Sequence, residues 1–184
     1  IQGGYPKNEL VDVEALRYLH LKTIIEKSEP LPDNNRFIRV LVLGEYLSEN
    51  TCYQMRILEE AYPSFSNYVK LIIKPHPNSP IKAADYPALD MKLAKEPLQK
   101  LLINCDVAFT SEVTSVALDA YCYGIPVISS LNPETLNMSP LRGDKGVYFV
   151  KNSEDLSHAI NTIEVTDLNQ KGYYFYLDQG LPRW

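Results

Sequence analysis

Short apolar runs alternate with amphipathic stretches from residue 37 to residue 163 of this chain. The runs are rich in Val, Ile and Leu, a pattern typical of strands buried in a parallel sheet. The stretches between them repeat apolar side chains at helical spacing and predict helices. We predict strands at residues 37–43, 68–73, 88–93, 106–109, 125–129 and 147–150, and helices at 49–61, 96–104, 114–123 and 153–163.

Strands that alternate with helices predict an α/β fold, a Rossmann-like three-layer domain with a parallel sheet of about six strands. Gly124 is expected to end the third helix as its C′ residue, and Ser153 with its neighbours Glu154 and Asp155 to cap the fourth. We assign residues 36–164 to this domain. Residues 1–35 would form a peripheral helix, at 13–25, and a linker, and residues 165–184 an aromatic tail that docks on the body or on a further domain.

Composition limits the class of protein. The chain has 184 residues, of which 45% are hydrophobic and 22% charged, as in an ordinary soluble globular domain. Its net charge of -5 argues against a nucleic-acid partner, so that any phosphate site must be local. Cys52, Cys105 and Cys122 have neither disulfide nor zinc spacing and predict free thiols in a reducing, cytoplasmic compartment. Because the chain starts at Ile1 rather than Met, we expect a piece of a longer protein.

The tetrapeptide Lys74-Pro75-His76-Pro77 follows a predicted buried strand and therefore lies at its carboxyl end. Open α/β sheets bind ligands in the crevice beyond these strand ends. Each proline fixes its own φ and restricts the residue before it, so that the backbone of His76 is stiffened from both sides. A cation and an imidazole held in this way suit a phosphorylated ligand.

A second group, Thr114, Ser115 and Asp119, joins a predicted strand end to a predicted helix start. Hydroxyl donors and free backbone N–H groups favour an anion there, and a carboxylate one turn on can accept hydrogen bonds from ribose hydroxyls. Plain N-capping also explains the two hydroxyls, and a core histidine bonded to a carbonyl also explains His76. The location of both groups at carboxyl ends of strands in one sheet favours a nucleotide site.

These motifs, followed by Gly124-Ile125-Pro126-Val127, resemble the C-terminal donor-binding domain of a GT-B glycosyltransferase. The similarity is to bacterial sialyltransferases and Kdo transferases, which carry a His-Pro motif and a later Ser-Ser/Thr motif. It extends to the CDP-glycerol glycerophosphotransferases, with their Ser-Ser-Val-(x)2-Asp helix start. The tail from Phe175 to Trp184 is similar to a family of surface-carbohydrate biosynthesis proteins.

The resemblance implies a role for each candidate residue. His76 would be the catalytic residue that stabilises the leaving phosphate, with Lys74 and Pro77 beside it, and Thr114 and Ser115 would bind the same phosphate. Asp119 would lie near the ribose, Gly44 would let the backbone approach the ligand, and Glu96 would lie beside the base. Glu45 and Tyr46 would line the cleft toward the acceptor domain.

The resemblance also implies the partners. We expect a nucleotide-activated donor, CMP- or CDP-linked, used in capsule, lipopolysaccharide or related polysaccharide synthesis, with no metal and no further cofactor. A separate N-terminal domain would bind the glycan acceptor and supply the general base, so that this piece alone would turn over little. The intact protein would be cytoplasmic and would associate peripherally with the inner membrane.

Two alternatives stay open. Glu112 and Val113 stand where UDP-sugar epimerases and transferases typically have glycines, and Thr114 replaces the commoner serine. The missing glycines weaken a UDP interpretation more than a cytidine one, but a UDP-sugar 2-epimerase-like domain keeps the same architecture. A non-catalytic scaffold domain of the same fold is the other alternative.

Overall fold

The computed structural model of the protein describes residues 6–21, 37–163 and 175–183. In these ranges, six parallel strands form one sheet in the order β3-β2-β1-β4-β5-β6. The sequence order reverses between β1 and β4, which makes their carboxyl ends the switch point of the sheet. The strands are β1 (Ile38–Leu43), β2 (Val69–Lys74), β3 (Met91–Leu93), β4 (Val107–Ser111), β5 (Val127–Ser130) and β6 (Val147–Val150).

Helices cover both faces of the sheet and confirm the predicted three-layer, Rossmann-like α/β fold. Met55 and Leu58 of the first helix and Leu156 of the last pack on one face, and Leu102 and Ala120 pack on the other. Burial of one such leucine contributes about 1.5–3 kcal/mol relative to an exposed position. The helices are α1 (Ser48–Ala61), α2 (Leu98–Leu102), α3 (Val116–Cys122) and α4 (Ser153–Thr162).

The predicted element boundaries change by two or three residues, at the start of β3, which lies at Met91 rather than at residue 88, and near the switch point. β4 runs on to Ser111, beyond the predicted end at residue 109, because Thr110 and Ser111 pair with residues 129 and 130 of β5. α3 begins at Val116, two residues after the predicted start, so that Thr114 and Ser115 lie in the turn before it. Thr110 and Ser111 therefore belong to the sheet rather than to a loop, although their side chains are polar.

Two helix ends were predicted from their capping residues. Gly124 follows α3 with φ 77, the left-handed conformation expected of a C′ glycine. At the start of α4 the N-cap residue lies one position before the predicted group, and Asp155 of that group accepts a 2.9 Å hydrogen bond from the N–H of Lys151. The side chain of Asn152, rather than the group beginning at Ser153, accepts a 2.8 Å hydrogen bond from the backbone N–H of Asp155.

The N-terminal segment differs from the predicted helix 13–25 at its start, whereas residues 20 and 21 are helical as predicted. Glu14 forms a β-bridge with Tyr176, and the N–H of Ala15 donates to the carbonyl of Tyr176 at 2.9 Å. A 3-10 turn follows at Leu16–Tyr18. The tail therefore docks on this segment, where Phe175 stacks on Tyr18 at 4.1 Å between ring centroids. The rest of that helix, the linker at 29–35 and residues 164–174 lie outside the described residues.

Across the described ranges, no helix has the length and apolar character that crossing a bilayer requires.

Candidate active site

The candidate site lies at the carboxyl edge of the sheet, where the turns after β2, β1 and β4 meet. β1 lies between β2 and β4, and Leu43 at its end is level with Lys74 of β2. A strand spacing of about 4.8 Å places the turns after β2 and β4 about 10 Å apart. That separation is on the scale of one nucleotide, so a single ligand could touch both turns.

The turn after β1 packs directly against the turn after β2. The N–H of Gly44 donates to the carbonyl of Lys74 at 3.0 Å. A Cβ at Gly44 would lie 3.1 Å from the backbone nitrogen of His76 and 3.4 Å from the Cα of Pro75. Gly44 was expected to let the backbone approach a ligand. The close approach that favours a glycine here is to the turn that carries His76.

The ring of His76 is fixed by its own turn. The backbone N–H of Asn78 donates to Nδ1 at 3.1 Å, and the N–H of Ser79 donates to the carbonyl of His76 at 2.9 Å. With Nδ1 as acceptor, the hydrogen-bond pattern assigns the ring hydrogen to Nε2. Tyr46 packs against the ring in an edge-on arrangement, 5.6 Å between centroids. His76 is half-buried and offers one N–H donor, and Pro77 beside it is exposed.

Lys74 and Glu96 are brought together, at the β3 side of the site. The ammonium of Lys74 donates to the backbone carbonyl of Glu96 at 2.8 Å. The Glu96 carboxylate accepts from the N–H of Lys95 at 2.9 Å and pairs with Lys92 at 3.4 Å. Hydrogen bonds from the backbone N–H groups of Glu96 and Lys95, with the charge of Lys92, lower the pKa of Glu96. Lys74 therefore ties the end of β2 to the loop before α2.

Thr114 and Ser115 are less engaged in capping than their position suggested. Ser115, the residue before α3, makes no capping hydrogen bond with its side chain and is exposed. Thr114 Oγ1 accepts only a long bond, 3.4 Å, from the N–H of Val116. The hydroxyl of Ser115 instead accepts from the guanidinium of Arg17, also at 3.4 Å. Simple N-capping thus does not account for both hydroxyls.

Asp119 is buried, with 7% of its surface exposed, on the first turn of α3. Its Oδ2 lies 3.6 Å from Nη2 of Arg17. Burial raises the pKa of this carboxyl, and the charges of Arg17 and His20 act in the opposite direction. No local pattern in the sequence indicates a role for Arg17, which lies 98 positions from Ser115.

Two buried carboxylates, those of Glu45 and Glu112, flank the switch point. The sequence predicted a place in the cleft only for Glu45. Glu45, 5% exposed, accepts a 2.7 Å hydrogen bond from the hydroxyl of Ser111, while Thr51 bonds to its backbone N–H and carbonyl. Glu112, 2% exposed, accepts from the hydroxyl of Thr135 at 2.7 Å. The signal for Glu112 is its place in the sequence, an acidic residue three positions after the apolar run that ends at Phe109. In the sequence alone, Glu112 stands out only as the replacement of a glycine.

The arrangement offers hydrogen-bond donors for an anion and acceptors for hydroxyls. Among the described residues, no group of three or more His, Cys, Asp or Glu side chains could hold a metal ion. The donors are His76 Nε2–H, the hydroxyls of Thr114 and Ser115, and Arg17. The acceptors are the buried carboxylates of Glu45, Glu112 and Asp119. This set can bind a phosphate and polar hydroxyl groups without a metal.

Comparison of the sequence with protein-family models and with curated proteins finds no significant match. Comparison with solved structures does find similar chains. The glycosyltransferase SnogD from Streptomyces nogalater has a TM-score of 0.54 and 15% identity over 78% of this chain and 40% of its own. A protein from Listeria monocytogenes, assigned as UDP-N-acetylglucosamine 2-epimerase, has a TM-score of 0.56 and 18% identity over 89% of this chain and 48% of its own.

These comparisons show a shared Rossmann-like fold. This chain spans less than half the length of SnogD and of the Listeria protein. The closer relation to Kdo transferases, sialyltransferases and CDP-glycerol glycerophosphotransferases stays a prediction, as do the assigned domain boundaries and site residues.

Proposed function

We propose that this chain is the donor-binding domain of a glycosyltransferase and binds a nucleotide-activated sugar or polyol phosphate between the ends of β1 and β4. The observation that carries the proposal is the fixed ring of His76. Its Nδ1 accepts from Asn78, which leaves Nε2–H as a donor beside the switch point of the sheet. Ligands of open α/β sheets bind at such points. The fold shared with SnogD supports the same proposal.

In the proposed reaction, the domain stabilises the charge that builds on the leaving phosphate. Nε2–H of His76 donates to a phosphate oxygen from one side, and the hydroxyls of Thr114 and Ser115 donate from the other. Donors fixed before the reaction lower the barrier because they need no reorganisation. Lys74 acts indirectly here, since its ammonium is bonded to the Glu96 carbonyl. Glu96 would still lie beside the base, in the loop that Lys74 holds.

The general base would come from another domain, which would also bind the glycan acceptor. Glu45 and Glu112 are buried and already accept hydrogen bonds from Ser111 and Thr135. A base must instead reach the acceptor hydroxyl. We place the reaction in bacterial surface-polysaccharide synthesis at the cytoplasmic face of the inner membrane, with a cytidine nucleotide as donor, on the basis of the motifs around His76 and Thr114.

The test is a calorimetric or NMR titration with CMP, CDP and UDP on the wild type and on His76→Ala. Loss of one charge-assisted hydrogen bond should weaken CMP binding by about 1.5–3 kcal/mol. His158→Ala is the matched control, because His158 is exposed on α4, outside the turns that form the site. Wild-type protein that binds no nucleotide, or equal binding by His76→Ala, would contradict the proposal.

A second candidate is a UDP-sugar 2-epimerase-like domain. It is favoured by one observation, the likeness of the fold to the Listeria protein over 89% of this chain. The same titration separates the two, because this candidate predicts that UDP binds more tightly than CMP. Absence of binding to any of the three nucleotides would favour the scaffold alternative.

A further inference from the structure

Arg17 reaches the candidate site from the N-terminal segment. Its Nη2 lies 3.4 Å from Oγ of Ser115 and 3.6 Å from Oδ2 of Asp119. Ser115 and Asp119 are two of the residues predicted to bind the nucleotide donor, and both contact the same guanidinium nitrogen of Arg17. The Arg17 side chain is 64% exposed, so it borders the site without being buried in it.

The charges of the site favour a cation at this position. A phosphate bound to Ser115 would lie close to the Asp119 carboxylate, and two like charges at short range repel each other. Lys74 is bonded to the carbonyl of Glu96, and Nδ1 of His76 accepts a hydrogen bond. Arg17 touches Asp119 directly and offsets its charge, which makes a phosphate tolerable beside Ser115.

The contacts of Arg17 are easily exchanged. Exposed ion pairs of this kind contribute about 0–1 kcal/mol, and both distances are long for charge-assisted hydrogen bonds. The guanidinium carries five N–H donors in a planar fork that matches phosphate oxygens. It can therefore donate to a phosphate while it stays beside the carboxylate.

The segment that carries Arg17 is firmly held. Glu14 is buried and pairs with Arg183 of the tail, 2.6 Å between Oε1 and Nη1. Tyr18, the neighbour of Arg17, is buried under Phe175. The two ends of the chain thus fix the backbone on both sides of Arg17, which limits the entropy lost when its side chain binds a ligand.

We propose that Arg17 is a phosphate-binding residue of this site and that Asp119 positions its guanidinium. The inference rests on the proposed function, since it takes the donor phosphate as the ligand. It relies on the three side chains Arg17, Ser115 and Asp119 and not on the dipole of α3, which has only seven residues. It also changes the expected role of Asp119 from a ribose ligand to a partner of Arg17.

The experiment compares CMP with cytidine in NMR titrations of Arg17→Gln and Arg17→Lys. Arg17→Gln should weaken CMP binding by about tenfold to a hundredfold, the loss expected for a hydrogen bond between charged groups. Arg17→Lys should restore part of the affinity, because it keeps the charge without the planar fork. Cytidine, which has no phosphate, should bind equally to all three proteins. Arg56→Gln is the control. It removes one positive charge from an exposed position on α1 and should change the affinity for neither CMP nor cytidine.

The outcomes separate this inference from the proposed function. CMP binding that falls in His76→Ala but is unchanged or tighter in Arg17→Gln would overturn the role of Arg17 alone. An equal loss of CMP and cytidine binding would show a structural role and would also overturn it. Wild-type protein that binds no CMP would overturn both proposals.

Discussion

At the scale of single residues, the hydrogen bonds that each polar atom already makes decide which atoms of the site can bind a ligand. The pattern Lys74-Pro75-His76-Pro77 could be recognised in the sequence, and so could its place at a strand end. The partners could not, because the bond from Lys74 to Glu96 and the bond from Asn78 to His76 depend on how the turns fold. The residue types therefore predict the kind of ligand, while the hydrogen bonds decide which atoms remain to bind it.

Asp119 gives a prediction about pH. Burial raises its pKa above the ordinary value of 3.8, opposed by Arg17 and His20. A carboxyl whose folded pKa is raised contributes stability that is fully present below the unfolded pKa and lost as pH rises through the folded pKa. The Asp119→Asn variant has no such titration. Its free energy of unfolding should therefore rise relative to that of the wild type as pH increases from below 3.8 toward neutrality.

Urea unfolding of both proteins across that pH range measures the difference. The increase should begin near pH 3.8, where the unfolded carboxyl ionises, and stop once the folded carboxyl has ionised as well. A difference that stays constant with pH, or that falls, would contradict the raised pKa of Asp119.

At the scale of elements, the alternation of apolar runs predicts the sheet and the helices well. It does so because buried parallel strands need continuous apolar side chains. It fails at β4, where Thr110 and Ser111 continue the strand, since pairing with β5 satisfies the backbone whatever the side chains are. It fails in the N-terminal segment for a similar reason, because Glu14 pairs with Tyr176, far along the chain.

The contact between Glu45 and Ser111 should hold the turn after β1 against the end of β4. Ser111→Ala removes the 2.7 Å hydrogen bond to the carboxylate of Glu45, a residue that is 5% exposed, which should cost about 1–3 kcal/mol of unfolding free energy. Ser130→Ala is the matched control at the next strand end. Its hydroxyl makes only a 3.4 Å bond to the carbonyl of Thr110, and we expect a smaller loss. Equal losses in thermal or urea unfolding would show that the Glu45 contact contributes nothing specific.

At the scale of the whole molecule, the N-terminal segment and the tail act as one unit that borders the site. Glu14 and Arg183 join the two segments, Tyr18 and Phe175 stack, and Arg17 extends from the same segment to Asp119. The sequence predicted that the aromatic tail docks, but not on which surface. That surface consists of residues from the two ends of the chain, and no local pattern encodes such a pairing.

A double-mutant cycle tests this joint. Glu14→Gln and Arg183→Ala should show a coupling energy of about 0.5–3 kcal/mol in urea unfolding, because the two side chains form one partly buried ion pair. Either single variant should also weaken CMP binding, since both loosen the segment that carries Arg17. Additive stabilities would mean that the ion pair does not join the two segments.

The proposed nucleotide site lies between the ends of β1 and β4. The most direct measurement maps the backbone amide shifts of the wild-type protein during a CMP titration. We expect the largest shifts at the amides of Gly44, Glu45, His76, Thr114 and Ser115. We expect little change at α4 or at the opposite edge of the sheet. Shifts confined to other surfaces, or no shifts at all, would contradict the proposed site.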